Sequence, residues 1–433
     1  MISRRLIAAS AGLAAAAGIS IPLLAASQPT TGPIARYDMR AGTSSGIGQM
    51  GQGGRPNMAR LMMGGGGSQL QHELLLRLGS SRAPENGKPK AEHFMPPGAR
   101  LGKSVELVTP TIERGPTDEL PSGGPRGERP KGRILLFWGC GEHAPKGQPV
   151  VIDLSKIGEG QIPPGLWTST IPADWGPNLA NSKTFGRWPA EDGKYARPDS
   201  SLLGAHKIVS NYAPEIDFTL SKDFMAPLSL RSTKNPSAST LLSWGAIAGA
   251  TGYYAHLYGG KRGPGGQMGD IVMWSSSETR QFGGGLDDWL SPSRVASLVR
   301  ERTVLTPATT SCIVPAEVGL ATPDFRFGTL TAFGPEENFA YPPRPADAKQ
   351  VWHIQWTARI RHRSTTSWLE AGGMSMGTAD SQGFSEDAED DGDQDDQAQQ
   401  QEQPKCKPKK RGLGGLLGGA LSGTLGGSGD NGC

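Results

Sequence analysis

Cysteine is scarce in this chain, with 4 in 433 residues, and histidine numbers only 7. Cys140 and His143 would need two further ligands to hold zinc, and no second C-x-x-H or H-x-x-H pair exists. No H-E-x-x-H motif and no Walker loop occurs, which removes two common routes to metal and phosphate chemistry. Neither charge sign dominates: 44 Lys and Arg face 41 Asp and Glu, so no whole-chain field draws nucleic acid. Hydrophobic residues reach only 36% and aromatics 6%. Long apolar runs are missing after the first 27 residues, which excludes a polytopic membrane protein. There is no Gly-X-Y period and no sustained heptad, so collagen and a long coiled coil are excluded too. What is abundant is Gly (62) and Pro (35), well above the usual share. A folded core between low-complexity ends follows, in two or three units.

Residues 1–27 read as a secretory signal. Arg4 and Arg5 form the charged start, Leu6 to Leu24 is apolar and Ala-rich, and Ala25-Ala26-Ser27 supplies small residues before a cut after Ser27. An uncleaved membrane anchor is the competing reading. Ser3-Arg4-Arg5-Leu6-Ile7 also resembles a twin-arginine signal, so the export route stays open. A periplasmic or extracellular location in a bacterium is expected, and disulfides are permitted there. Cys140 and Cys312 lie in apolar, strand-like contexts and are expected to pair, while Cys406 and Cys433 fall in the tail.

Residues 28–132 read as low-complexity and mostly disordered, since 42–67 alone hold ten Gly. One short element interrupts them: Leu70, Leu74 and Leu78 share a helical face, yet Leu74, Leu76 and Leu78 alternate as in a strand. All ten Trp fall between Trp138 and Trp368, marking the core. Strand-like runs recur there, such as Arg133–Trp138, Thr240–Trp244 and Trp352–Arg363, separated by turn residues. The expected fold is mainly β, one or two immunoglobulin/fibronectin-like sandwiches with disordered termini. The units are a β-rich domain over 133–233, a sandwich over 234–369 with a helix near 292–301 capped by Ser291, and a disordered tail over 370–433.

Leu241-Leu242-Ser243-Trp244 followed by Gly249-Ala250-Thr251-Gly252-Tyr253-Tyr254 resembles the B and C strands of a fibronectin type III domain. The resemblance covers about residues 236–262. It implies that Trp244 and Tyr253 meet across a sandwich core, and it implies a binding or spacer role by analogy.

Several surfaces are candidates for binding. The long segment 161–200 carries Trp167, Trp175, Trp188 and Tyr195 without a helical or strand period, which suits stacking on sugar rings or a peptide. Equally, those rings staple the segment to a sheet. In the last strand Trp352, Ile354, Trp356, Ala358 and Ile360 point one way, and Arg359, Arg361 and Arg363 point the other. That second face is expected in solvent, with the three Arg as an anion-binding candidate or simply a solvated face. Cys140-Gly141-Glu142-His143 fits a disulfide half-cystine beside polar turn residues better than a metal or nucleophile site. Met58, Met62 and Met63 offer soft ligands for copper(I), and the acidic run Glu386–Asp396 nearly matches a calcium loop. Filler and a solvated linker explain both, and no metal or cofactor is expected. The C-terminal tail joins a Lys/Arg cluster at 405–411 to Gly415, Gly419, Gly423 and Gly427, fit for membrane contact or self-association.

These features predict an exported, non-enzymatic envelope or surface protein that binds a glycan or protein partner and no nucleic acid. A secreted polysaccharide hydrolase and a self-associating envelope component are the competing expectations.

Overall fold

The computed structural model describes residues 28–46, 70–110, 132–158, 176–190, 196–262, 268–282, 284–371 and 374–376. Its frame is one ten-stranded sheet. From one edge this sheet contains β7 (Val150–Asp153), β6 (Arg133–Trp138), β14 (Met268–Ser275), β13 (Gly252–Arg262), β16 (Phe325–Tyr341), β18 (Trp356–Ala371), β2 (Ala35–Gly46), β3 (Gln71–Ser80) and β8 (Thr184–Trp188), with β19 (Met374–Met376) also paired to β18. Smaller sheets pack on it, so the fold is mainly β with several layers.

The leucines of β3 settle the ambiguity at 70–78. Leu74, Leu76 and Leu78 are all fully buried on one face. A helix would have turned Leu76 away from the other two. β2 is built the same way, with Ala35, Tyr37, Met39 and Ala41 buried and polar residues between them. The expectation of disorder over 28–132 therefore fails for residues 28–46 and 70–110. The reason is that β2 draws its order from distant partners. It runs parallel to β18, with Ala35 opposite Trp356, and antiparallel to β3. The unit boundary expected at 233/234 falls inside β11 (Leu230–Lys234), because sheet pairing rather than chain order sets the layers.

Two layers cover the large sheet on the side these residues face. A four-stranded sheet has the order β10 (Ile216–Leu220), β9 (Gly204–Ser210), β4 (Ala91–Phe94), β5 (Ser104–Glu106). It encloses a core with β2, β3 and β18 that includes Tyr37, Leu76, Ile208, Phe218 and Ile360. A three-stranded sheet has the order β11, β12 (Thr240–Trp244), β15 (Ser311–Val314). It closes a second core with β14, β13, β16 and β18 that includes Leu242, Trp244, Tyr253, Trp274 and Trp368. The long strands β16 and β18 serve both cores, so the two layered bodies share one backbone ladder. Trp244 meets Tyr253 across the second core at 5.6 Å between ring centroids.

Cys140 and Cys312 form a disulfide that ties the end of β6 to β15. The helix Pro292–Arg300 starts where the sequence places it, with Ser291 Oγ accepting from the Arg294 N–H. Its Val295 and Leu298 bury against Tyr254 and Phe333 on the opposite, outer face of the large sheet.

Candidate functional site

The outer face of the large sheet is unusually polar for a surface this enclosed. Residues paired directly across neighbouring strands share a face. Register therefore assembles the row Arg187 (β8), Arg77 (β3), Asp38 (β2), Arg359 (β18), Asn338 (β16). The adjacent positions add Arg40 opposite Arg361, then Gly42 between Glu73 and Arg363. Each strand alternates, so the apolar faces of β2, β3 and β18 in the first core force these charged residues outward together.

Asp38 is the hub and is only 1% exposed. Its Oδ1 accepts from Arg359 Nε at 3.0 Å and Arg361 Nη2 at 3.0 Å, and its Oδ2 accepts from Arg40 Nε at 3.1 Å. Burial alone would raise the Asp38 carboxyl, but the Arg361, Arg40 and Arg359 guanidiniums outweigh it and hold the group below its usual range. Gly176 lies directly on this hub: a Cβ there would come within 3.0 Å of Asp38 Oδ2. Gly79 is a second point of close approach, where an added Cβ would meet the Ser182 side chain and, at 2.8 Å, Pro177. The segment 176–182 is thus laid across β2 and β3.

The other wall is the turn at 287–289. Asp288 Oδ1 stands 3.5 Å from Arg40 Nη1, and Arg361 Nη1 donates to the Trp289 carbonyl. Arg363 donates to the Asp287 carbonyl at 2.7 Å and to Glu73 Oε2 at 3.0 Å, and its guanidinium lies 4.1 Å over the Trp289 ring. Further along, His256 Nδ1 lies 3.0 Å from Asp287 Oδ1. The pair is close enough for ionic attraction, but both atoms lack a hydrogen bond of acceptable geometry. Ser275 is the cross-strand partner of His256, and its Oγ is buried.

The last strand therefore corrects one expectation. Trp356, Ala358 and Ile360 do point into the core, but the opposite face is not open solvent. Arg361 is 1% exposed and is held by Asp38 and Trp289; Arg363 is held by Glu73 and Asp287. The turn at 287–289 folds back over them, which no period in the sequence announces.

Trp188 lies on β8, half-buried, and packs against the first core, the stapling arrangement. Trp167, Trp175 and Tyr195 lie outside the described residues, as do Met58, Met62 and Met63, the acidic run, the tail with Cys406 and Cys433, and the signal segment. His143 Nδ1 contacts Glu317 Oε1 at 3.2 Å, and Cys140 is in the disulfide. No group of three or more His, Cys, Asp or Glu suited to a metal occurs among the described residues. Gly-x-Ser-x-Gly spacing occurs at 42–46 and 373–377. Ser44 is laddered between Thr365 and Gln71, and Ser375 lies within β19, so neither sits on a strand-to-helix elbow.

The sequence alone does not single out Asp38, Arg40, Arg77 and Arg187. Their signal was the alternation of β2 and β3, obscured by the Gly-rich residues between those strands. Comparison with protein-family models, curated proteins and solved structures finds no match for this chain.

Proposed function

We propose that this is an exported, non-enzymatic protein of the bacterial envelope or cell surface that binds a glycan or protein partner through the outer face of the large sheet and the aromatic residues of 161–200. One observation carries binding over hydrolysis. The most enclosed carboxylate of the face, Asp38, is saturated by three guanidiniums and held in its ionised form. A glycosidase needs a carboxyl group whose pKa is raised so that it can donate a proton. The Ser275, His256 and Asp287 grouping favours a hydrolase only weakly, since the Ser275 hydroxyl is sealed from solvent.

The strand order supports the binding analogy. β11-β12-β15 faces β14-β13-β16-β18, the A-B-E against C′-C-F-G order of a fibronectin type III domain, with Trp244 on Tyr253 as the resemblance implies. The disulfide fits an oxidising compartment, and no described helix is long and apolar enough to cross a membrane. The test is a glycan array and envelope-fraction pull-down with the mature chain, run beside a polysaccharide hydrolysis assay. Retained ligand without turnover is expected. Turnover that disappears when a single Asp or Glu is neutralised would replace this reading with the hydrolase.

A further inference from the structure

We propose that Arg77 and Arg187 form an oxyanion-binding site that takes a phosphate or carboxylate group of a glycan. The inference rests on the binding role above and names the chemistry of its ligand.

Arg77 and Arg187 are direct cross-strand partners on the same face. Like charges placed this way destabilise a sheet. Both side chains are half-buried, so solvent screens them only in part. Among the described residues Arg77 makes no side-chain hydrogen bond or ion pair, unlike its neighbours. Arg187 donates to the Ala190 carbonyl at 2.6 Å, but its Nε is buried without a partner. The charged groups that face Arg77 are Arg40 and Asp38 from β2, Arg187 from β8, and Asp288 from the 287–289 turn. Asp38 and Asp288 offset part of the Arg77 charge from a distance, but Asp38 already serves three guanidiniums and Asp288 serves Arg40, so among the described residues no carboxylate is in hydrogen-bond contact with Arg77. Burial above all lowers the Arg77 pKa, and Arg40 and Arg187 add to it while Asp38 and Asp288 oppose them.

A fold that keeps such a pair violates a local rule, and such violations concentrate where function demands them. Guanidinium forks match the two oxygens of a carboxylate or phosphate. Arg359, 27% exposed, lies on the far side of Asp38 in the same row and keeps that carboxylate engaged. Gly176, the end of the described aromatic-rich segment, rests on Asp38 in the same row.

The experiment uses the mature full chain and three probes: oligogalacturonate for carboxylate, a phosphorylated mannan oligosaccharide for phosphate, and neutral maltoheptaose. Binding is measured by calorimetry and by thermal shift, for wild type, Arg77→Met, Arg187→Met, the double variant, and Arg133→Met as a control of equal charge change. Arg133 lies on β6 in an exposed pair with Asp270. At least one anionic probe should bind and raise the melting temperature, and which one responds identifies the source. The double variant should bind about tenfold more weakly or worse, while Arg133→Met binds as wild type. Unliganded Arg77→Met should melt no lower than wild type, because it relieves repulsion; a merely structural arginine would give a lower value and overturn the proposal. So would anion binding that survives in the double variant. Binding of maltoheptaose alone overturns the oxyanion site but leaves the binding role standing, and binding of no glycan or envelope protein overturns both.

Discussion

The Tyr37 hydroxyl lies 2.7 Å from His93 Nδ1, and this contact closes a buried chain of fixed direction. His206 Nε2 can only donate to the Leu202 carbonyl, at 2.7 Å. His206 Nδ1 must then accept from His93 Nε2, at 3.0 Å, which leaves His93 Nδ1 to accept from Tyr37. Both imidazoles are neutral in this arrangement, with tautomers set by the network.

That chain makes the fold acid-sensitive. Burial, reinforced for His93 by His206, lowers the pKa of His93 and His206, and burial lowers that of His72. Burial takes His362 down to about 4. The unfolded chain takes up these protons near pH 6.5, while the fold refuses them until lower pH. Stability is therefore full above about pH 6.5 and falls as pH drops toward the folded values, by up to about 1.4 kcal/mol per pH unit for each histidine. Urea denaturation at pH 7.5 and pH 5 measures this, and equal midpoints would refute it.

Asp38→Asn should cost about 3–5 kcal/mol, because it leaves buried guanidiniums without their shared carboxylate. Adding Arg361→Met should cost less than the sum of the two single changes, since Arg361 and Asp38 are one interacting unit. Denaturant midpoints of the four proteins close the cycle, and strict additivity would show that the hub is not coupled.

Gly328 and Trp368 are cross-strand partners, and the Trp368 indole lies over the glycine. A methyl group at Gly328 would fall inside that ring. Gly328→Ala should therefore destabilise by about 1–3 kcal/mol through overpacking. The tryptophan region of the near-ultraviolet circular dichroism should change as Trp368 is displaced, whereas an unchanged spectrum with unchanged stability would place the ring elsewhere.

The Cys140–Cys312 bridge spans 172 residues of sequence. A loop that long gives an unfolded-state entropy effect on the order of 5 kcal/mol, of which measured proteins commonly realise 2–5. The double Ala variant should melt well below wild type, and reductant should lower the wild type but not the variant. Coincident melting curves in all conditions would mean that the bridge contributes nothing.

What the amino-acid sequence determined by itself was local. Alternation placed Trp356, Ala358 and Ile360 on an inward face, Ser291 marked the start of its helix, and apolar surroundings marked Cys140 and Cys312 as partners. Each of these depends on neighbours a few residues away or on burial propensity alone. Tertiary structure decided the rest. β2 looked like part of a Gly-rich run until β18 supplied its ladder, 321 residues from Asp38 to Arg359. The environment of Arg361 depended on a turn that folds back from 287–289, and the opposition of Arg77 to Arg187 on the register of β3 with β8. A side-chain period states which face a residue occupies, but only pairing between distant strands states which charges share that face.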